Sequence, residues 1–207
     1  MNSIKLLDTT PISYQRYVEE TEAMVAEGRT SGANQSESML AYTKLNFSRM
    51  KRLNKTVQPR TELTDSLAQV PFAMKWIAIT EPWCGDAAQN LPYIAKAAAL
   101  SGNVDLGLVY RDENLRYMEK FLTNGTRSIP KLVMYRADNN EVMATWGPRP
   151  AAVQQKVNNY KNTVGEKPTF EVFAAEIHAW YTANKNSALE SELLAIFRKI
   201  LAEPTAV

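Results

Sequence analysis

The feature that most constrains this chain is an abrupt change of texture around residue 84. Phe72 to Thr80 is an apolar, strand-like run. It stops at Glu81-Pro82 and gives way at Cys84 to an alanine-rich, helix-forming segment that reaches Leu100. A chain that turns from strand to helix so quickly must place its turn residues at the end of a sheet and the start of a helix. Cys84, the single cysteine in 207 residues, falls on that junction. There the unpaired amides and the positive end of the helix dipole favour a thiolate. Asp86 opposes this, because its carboxylate competes for the same dipole and disfavours a second anion, so the sequence leaves the sign of the net shift open.

Downstream, Val104 to Tyr110 reads as a second strand, Glu113 to Leu122 as a helix and Lys131 to Arg136 as a third strand. Glu141 to Trp146 reads as a fourth strand, reached across an Asn139-Asn140 turn. The first strand-helix-strand stretch suits a parallel unit with a right-handed crossover, and the last two strands suit an antiparallel hairpin. A mixed sheet is expected, with Pro148 to Lys161 returning over it as a helix.

Helical texture flanks this core. Thr10 reads as an N-cap with Pro11 in the first turn, ahead of Tyr14, Tyr17, Val18, Met24 and Val25 at helical spacing. After Gly28 to Gly32, a second stripe runs from Met39 through Phe47 and Met50 to Val57, and Pro59 ends it. A short helix follows at Glu62 to Gln69, and two more lie at Thr169 to Ala183 and Ala188 to Ala202. The expected organisation is an N-terminal helical extension at 1–59, a central domain at 60–165 and a C-terminal helical extension at 166–207. The stripe of Leu189, Leu193, Ile196, Phe197, Ile200 and Leu201 suits either core packing or a homodimer surface.

Several functional classes fall away on composition. A formal charge of +2 leaves no global footprint for nucleic acid. Lys44, Arg49, Lys51, Arg52 and Lys55 on the second helix could meet an anionic partner, but without aromatic interleaving or a nucleic-acid motif they read as a solvated face. No apolar run approaches a membrane span, Met1 to Thr10 lacks the apolar region of a secretory signal, and one cysteine suits a reducing compartment, so a cytoplasmic protein is expected. One histidine beside one cysteine argues against a zinc site, and no glycine-rich phosphate loop follows a strand. His178, beside Ile177 and Trp180, reads as a surface or packing histidine and not as the partner of Cys84.

Trp83-Cys84-Gly85-Asp86-Ala87 resembles the Trp-Cys-Gly-Pro-Cys signature of thioredoxins, with Asp86 and Ala87 in its last two places. Gly125-Thr126-Arg127-Ser128-Ile129-Pro130, leading into a strand, resembles that superfamily's Ile-Pro element, whose proline is cis and faces the cysteine. Gly147, directly after the last strand, matches a glycine that lines the same groove in relatives. The resemblance covers roughly Arg60 to Lys161 and implies a thioredoxin-like α/β fold, in a subgroup lacking the second active-site cysteine. It also implies that Ile129 offers backbone hydrogen bonds to an extended substrate and that Trp83 shields the sulfur. Arg127 and Arg149 could attract a carboxylate such as those of glutathione.

Ala87 cannot resolve a mixed disulfide, and Ala78 stands where thioredoxins often carry a buried acid. The leading expectation is a monothiol oxidoreductase in which Cys84 attacks a protein or small-molecule disulfide and an external thiol such as glutathione releases the adduct, with no bound cofactor. Two alternatives stay open: a redox-inert binding module built on the same groove, and a thiol sensor oxidised at Cys84. The peroxiredoxin Thr-x-x-Cys arrangement does not match Glu81-Pro82-Trp83-Cys84.

Overall fold

The computed structural model describes residues 3–202. The outer ends of both expected extensions, residues 1–2 and 203–207, lie outside the described residues. Strand β1 (Met74–Thr80) is the centre of a four-stranded sheet. Its nearly continuous apolar run buries both faces, with Trp76, Ile77, Ala78, Ile79 and Thr80 all sealed from solvent. Helix α4 (Gly85–Ser101) crosses over to β2 (Val104–Tyr110), which pairs parallel to β1. Then β3 (Lys131–Arg136) pairs antiparallel to β1, and β4 (Val142–Trp146) antiparallel to β3, giving the order β2-β1-β3-β4. The mixed sheet expected from the strand pattern is the sheet that forms.

Helices α1 (Tyr14–Ala26), α2 (Glu37–Thr56) and α3 (Thr61–Ala68) precede the sheet, and α6 (Ala151–Asn162), α7 (Phe170–Asn184) and α8 (Ser187–Ala202) follow it. Trp76 stacks on Phe197 of α8 with ring centroids 5.8 Å apart, so the last helix covers one face of the sheet. On the opposite face Tyr135 of β3 meets Tyr117 (2.7 Å between hydroxyls) and Ser3 (2.9 Å). Leu189, Leu193, Phe197 and Ile200 are buried against this core, Ile196 packs on it half-buried, and Leu201 is exposed. Tyr17, Phe47 and Met50 from α1 and α2 share the same continuous core. No helix among the described residues is long and apolar enough to cross a membrane.

Two local expectations need correction. Helix α1 begins at Tyr14 with Ser13 as its N-cap (Arg16 amide to Ser13 Oγ, 3.1 Å), not at Thr10-Pro11. Ile12 is held extended by a two-way bridge to Leu108, at 2.9 and 2.8 Å, and this delays the helix. The helix expected at Glu113 to Leu122 contracts to α5 (Leu115–Met118). Asn114 turns its side chain to the Asp8 and Thr9 amides, at 2.9 and 3.1 Å, and the chain after Met118 tightens to bonds three residues apart.

Candidate functional site

Cys84 is the N-cap of α4, and its sulfur accepts the Ala87 amide at 3.5 Å. Its thiol donates to the Ile129 carbonyl at 3.3 Å, across from a cis Ile129-Pro130 bond. Gly147 follows β4 at φ +107°, and a Cβ there would stand 2.3 Å from the Pro130 carbonyl oxygen, so only glycine lets β4 close over this loop. The fold therefore gathers Cys84, Ile129, Pro130 and Gly147.

The remaining expected residues separate into two groups. Trp83, Gly85, Asp86 and Arg149 join Cys84 on the wall of a cavity of about 490 Å³. Ile129 and Pro130 are buried behind the sulfur. Ala87, expected on the groove, is 1% exposed and packs into the core, because its place in the first turn of α4 points it toward the sheet. Arg127 lies apart, paired with Glu119 through its Nε at 2.6 Å. Arg149 grips Asp86 with Nε and Nη2 at 2.8 and 2.7 Å, while the Tyr181 hydroxyl donates to the other Asp86 oxygen at 2.6 Å. Both arginines singled out for anions thus already hold carboxylates of this chain.

The electrostatics of the sulfur follow from burial. Cys84 is 8% exposed, and loss of solvent, then the Asp86 charge, push its thiol up to about 12. Donation from the Ala87 amide and the nearby Arg149 charge pull the other way without prevailing. The sequence left this sign open, and burial decides it. Asp86→Asn removes the second cause and frees the Arg149 charge. It should raise the alkylation rate of Cys84 at fixed pH, by roughly threefold for each pKa unit recovered once the lower nucleophilicity of a less basic thiolate is counted. An unchanged rate would show that Asp86 does not act on the sulfur.

Helix α7 encloses the cavity from the far side. It is tied to α4 by Asn90 Nδ2 on the Tyr181 hydroxyl (3.2 Å), and the Asn186 side chain just past its end donates to the Gln89 carbonyl (3.0 Å). Aromatic and aliphatic groups line the space, among them Tyr42, Trp83, Phe170, Phe173 and Ile177. Tyr160 and Phe173 stack at 4.0 Å and brace α6 on α7. His178, read from sequence as a surface or packing histidine, lines this cavity. Its ring carbon Cε1 would stand 3.2 Å from a Cβ on Gly85. Burial, then the Arg49 charge, pull its pKa down to about 4, and its Nδ1 is buried without a hydrogen-bond partner. No hydrogen bond joins it to Cys84 among the described residues. Nothing in the local sequence of α7 signals this placement, since only the tertiary fold brings residue 178 to residue 85.

A second group missed from sequence is Glu81. Glu81 is fully buried, and its carboxylate accepts the Ser31 hydroxyl and, at 2.9 Å, the Asp112 amide. Burial outweighs both bonds and raises its pKa to about 7. The fold thus carries a buried acid close to the sulfur's turn although Ala78 occupies the expected position. Among the described residues no cluster of three or more His, Cys, Asp or Glu gathers to hold a metal ion.

Comparison with known proteins agrees with this architecture. No curated protein matches the chain. Two solved structures align over 91% of it with a TM-score of 0.50 each. One is an HIV epitope scaffold, 16% identical and covered over 99% of its length. The other is a protein of unknown function from Pseudomonas aeruginosa, 17% identical and covered over 98%. At such identities the likeness is one of fold. A family model described as Thioredoxin matches residues 32–161, taking in α2 as well as the sheet. With that match spanning more than half of the sequence, the chain belongs to the thioredoxin family.

Proposed function

We propose that this chain is a ligand-binding member of its family that uses the cavity beside Cys84 and performs no thiol-disulfide turnover. The observation that carries this reading is the state of the sulfur: a thiol pushed up to about 12 that donates its proton to Ile129. At neutral pH roughly one such group in 10⁵ is ionised, and thiol-disulfide exchange needs the thiolate. The chain also holds no second cysteine to resolve an adduct. A space of about 490 Å³ with mostly apolar walls and a few convergent polar groups has the dimensions of a small-molecule site.

The monothiol reading keeps one favourable observation. Cys84 lines the cavity, so a disulfide entering it would meet the sulfur, and an external thiol would then have to release the adduct. The two readings separate on Cys84→Ser. On the binding reading the neutral fluorescent probe N-phenyl-1-naphthylamine binds wild type and Cys84→Ser with affinities within about twofold, a margin of about 0.4 kcal/mol. Glutathione-coupled disulfide reduction then stays at background for both proteins. Turnover by wild type that vanishes in Cys84→Ser would overturn the binding reading in favour of the oxidoreductase.

A further inference from the structure

One cation beside the cavity wall has no carboxylate partner among the described residues. Arg49 projects from α2 so that its Nη1 would lie 3.9 Å from a Cβ on Gly85, beside the His178 ring. It is partly buried, and loss of solvent lowers its pKa. Its Nη1 donates to the Asn46 side-chain oxygen at 2.9 Å, and no carboxylate pairs with it among the described residues. The other four cations of the α2 series, Lys44, Lys51, Arg52 and Lys55, are exposed, as a solvated face requires. Arg49 is the exception.

Arg49 is only partly buried, and a guanidinium shielded on one side gains from a carboxylate that meets its free donors. The carboxylate on the cavity wall, Asp86, is engaged on one oxygen by Arg149 and on the other by Tyr181. His178, pulled down to about 4, adds no negative charge. Lys161 adds a further cation to the cavity wall. With Arg49 beside Gly85 and His178, the charges around this largely apolar wall sum to a positive balance.

We propose that the cavity takes a small organic anion whose apolar, preferably aromatic, body packs among Tyr42, Trp83, Phe173 and Ile177 and whose carboxylate pairs with Arg49. This rests on the reading of the cavity as a ligand site and adds the class of ligand. The carboxylate takes up guanidinium donors that the chain leaves unused, in the planar geometry that favours arginine. The ring system excludes water from the pair and strengthens it.

The test compares 2-naphthaleneacetate with its neutral isostere 2-naphthaleneacetamide by calorimetry on the full chain at pH 7. The acid should bind at least about tenfold more tightly than the amide, as a charge-assisted pair requires. Arg49→Gln should abolish that preference while leaving the amide's affinity intact, which also reports an intact fold. Ala174→Trp, which fills the cavity wall, should weaken both. Equal affinities for acid and amide, or a preference that survives Arg49→Gln, would overturn the anion assignment and leave the ligand-site reading standing. Failure of both probes to bind, or binding indifferent to Ala174→Trp, would overturn the ligand-site reading itself.

Discussion

Iodoacetamide will label Cys84 at pH 8 about a hundredfold more slowly than it labels free cysteine. An ordinary thiol near 8.5 is about one quarter ionised at that pH, whereas one pushed up to about 12 is ionised about once in 10⁴. The more basic thiolate is the better nucleophile, and a Brønsted slope of about 0.4–0.5 returns one to two powers of ten. Burial of the sulfur to 8% exposure removes some of that gain by restricting approach. The rate should keep rising beyond pH 10 with no plateau at neutral pH. A plateau with a midpoint below about 8.5 would reveal a resting thiolate and restore the oxidoreductase to first place.

The thiol's position was legible in the sequence because local rules fix it. An apolar run ending at Thr80, a proline turn and an alanine-rich helix leave Cys84 nowhere but the strand-to-helix junction, and the resemblance at Ile129-Pro130 and Gly147 adds the facing loop. The thiol's ionisation was not legible, because it depends on how deeply that junction is covered. Helix α7, far downstream in sequence, forms the cover: Tyr181 and His178 reach Asp86 and Gly85 only in the folded chain. The same physics hid Arg49. Its neighbours on α2 make it look like one more solvated cation, and only the packing of α2 on α4 sets it beside Gly85 and His178 on the cavity wall. Helix α5 failed for the converse reason. Residues 113–122 have adequate helical texture, but Asn114 is drawn into holding the Asp8-Thr9 segment, and that tertiary contact overrides local propensity.

The largest stability effect is expected from Glu81→Gln, and its sign depends on pH. The Glu81 carboxyl is raised from an ordinary value near 4.5 to about 7, so the folded chain holds this proton more tightly than the unfolded chain does. Its contribution is greatest below about 4.5 and is lost as pH rises through 7, when a charge must form in a buried site; two and a half pKa units correspond to about 3 kcal/mol. His178 runs the other way. Lowered from 6.5 to about 4, it favours the neutral ring, so its contribution is present above 6.5 and lost as pH falls toward 4. Between about pH 4.5 and 6.5 the two slopes oppose each other, and urea denaturation of the wild type should vary little with pH there. Glu81→Gln keeps an oxygen for the Asp112 amide but cannot ionise. It should match wild type near pH 4.5, exceed it by up to about 3 kcal/mol at pH 8, and uncover the His178 limb as a loss of stability on acidification. His178→Gln should uncover the opposite limb, with stability declining from pH 4.5 to 7. A Glu81→Gln protein that follows the wild-type curve at every pH would mean that the buried carboxylate is already ionised in the fold, held by Ser31, Asp112 and the nearby Arg111 charge more firmly than burial resists it.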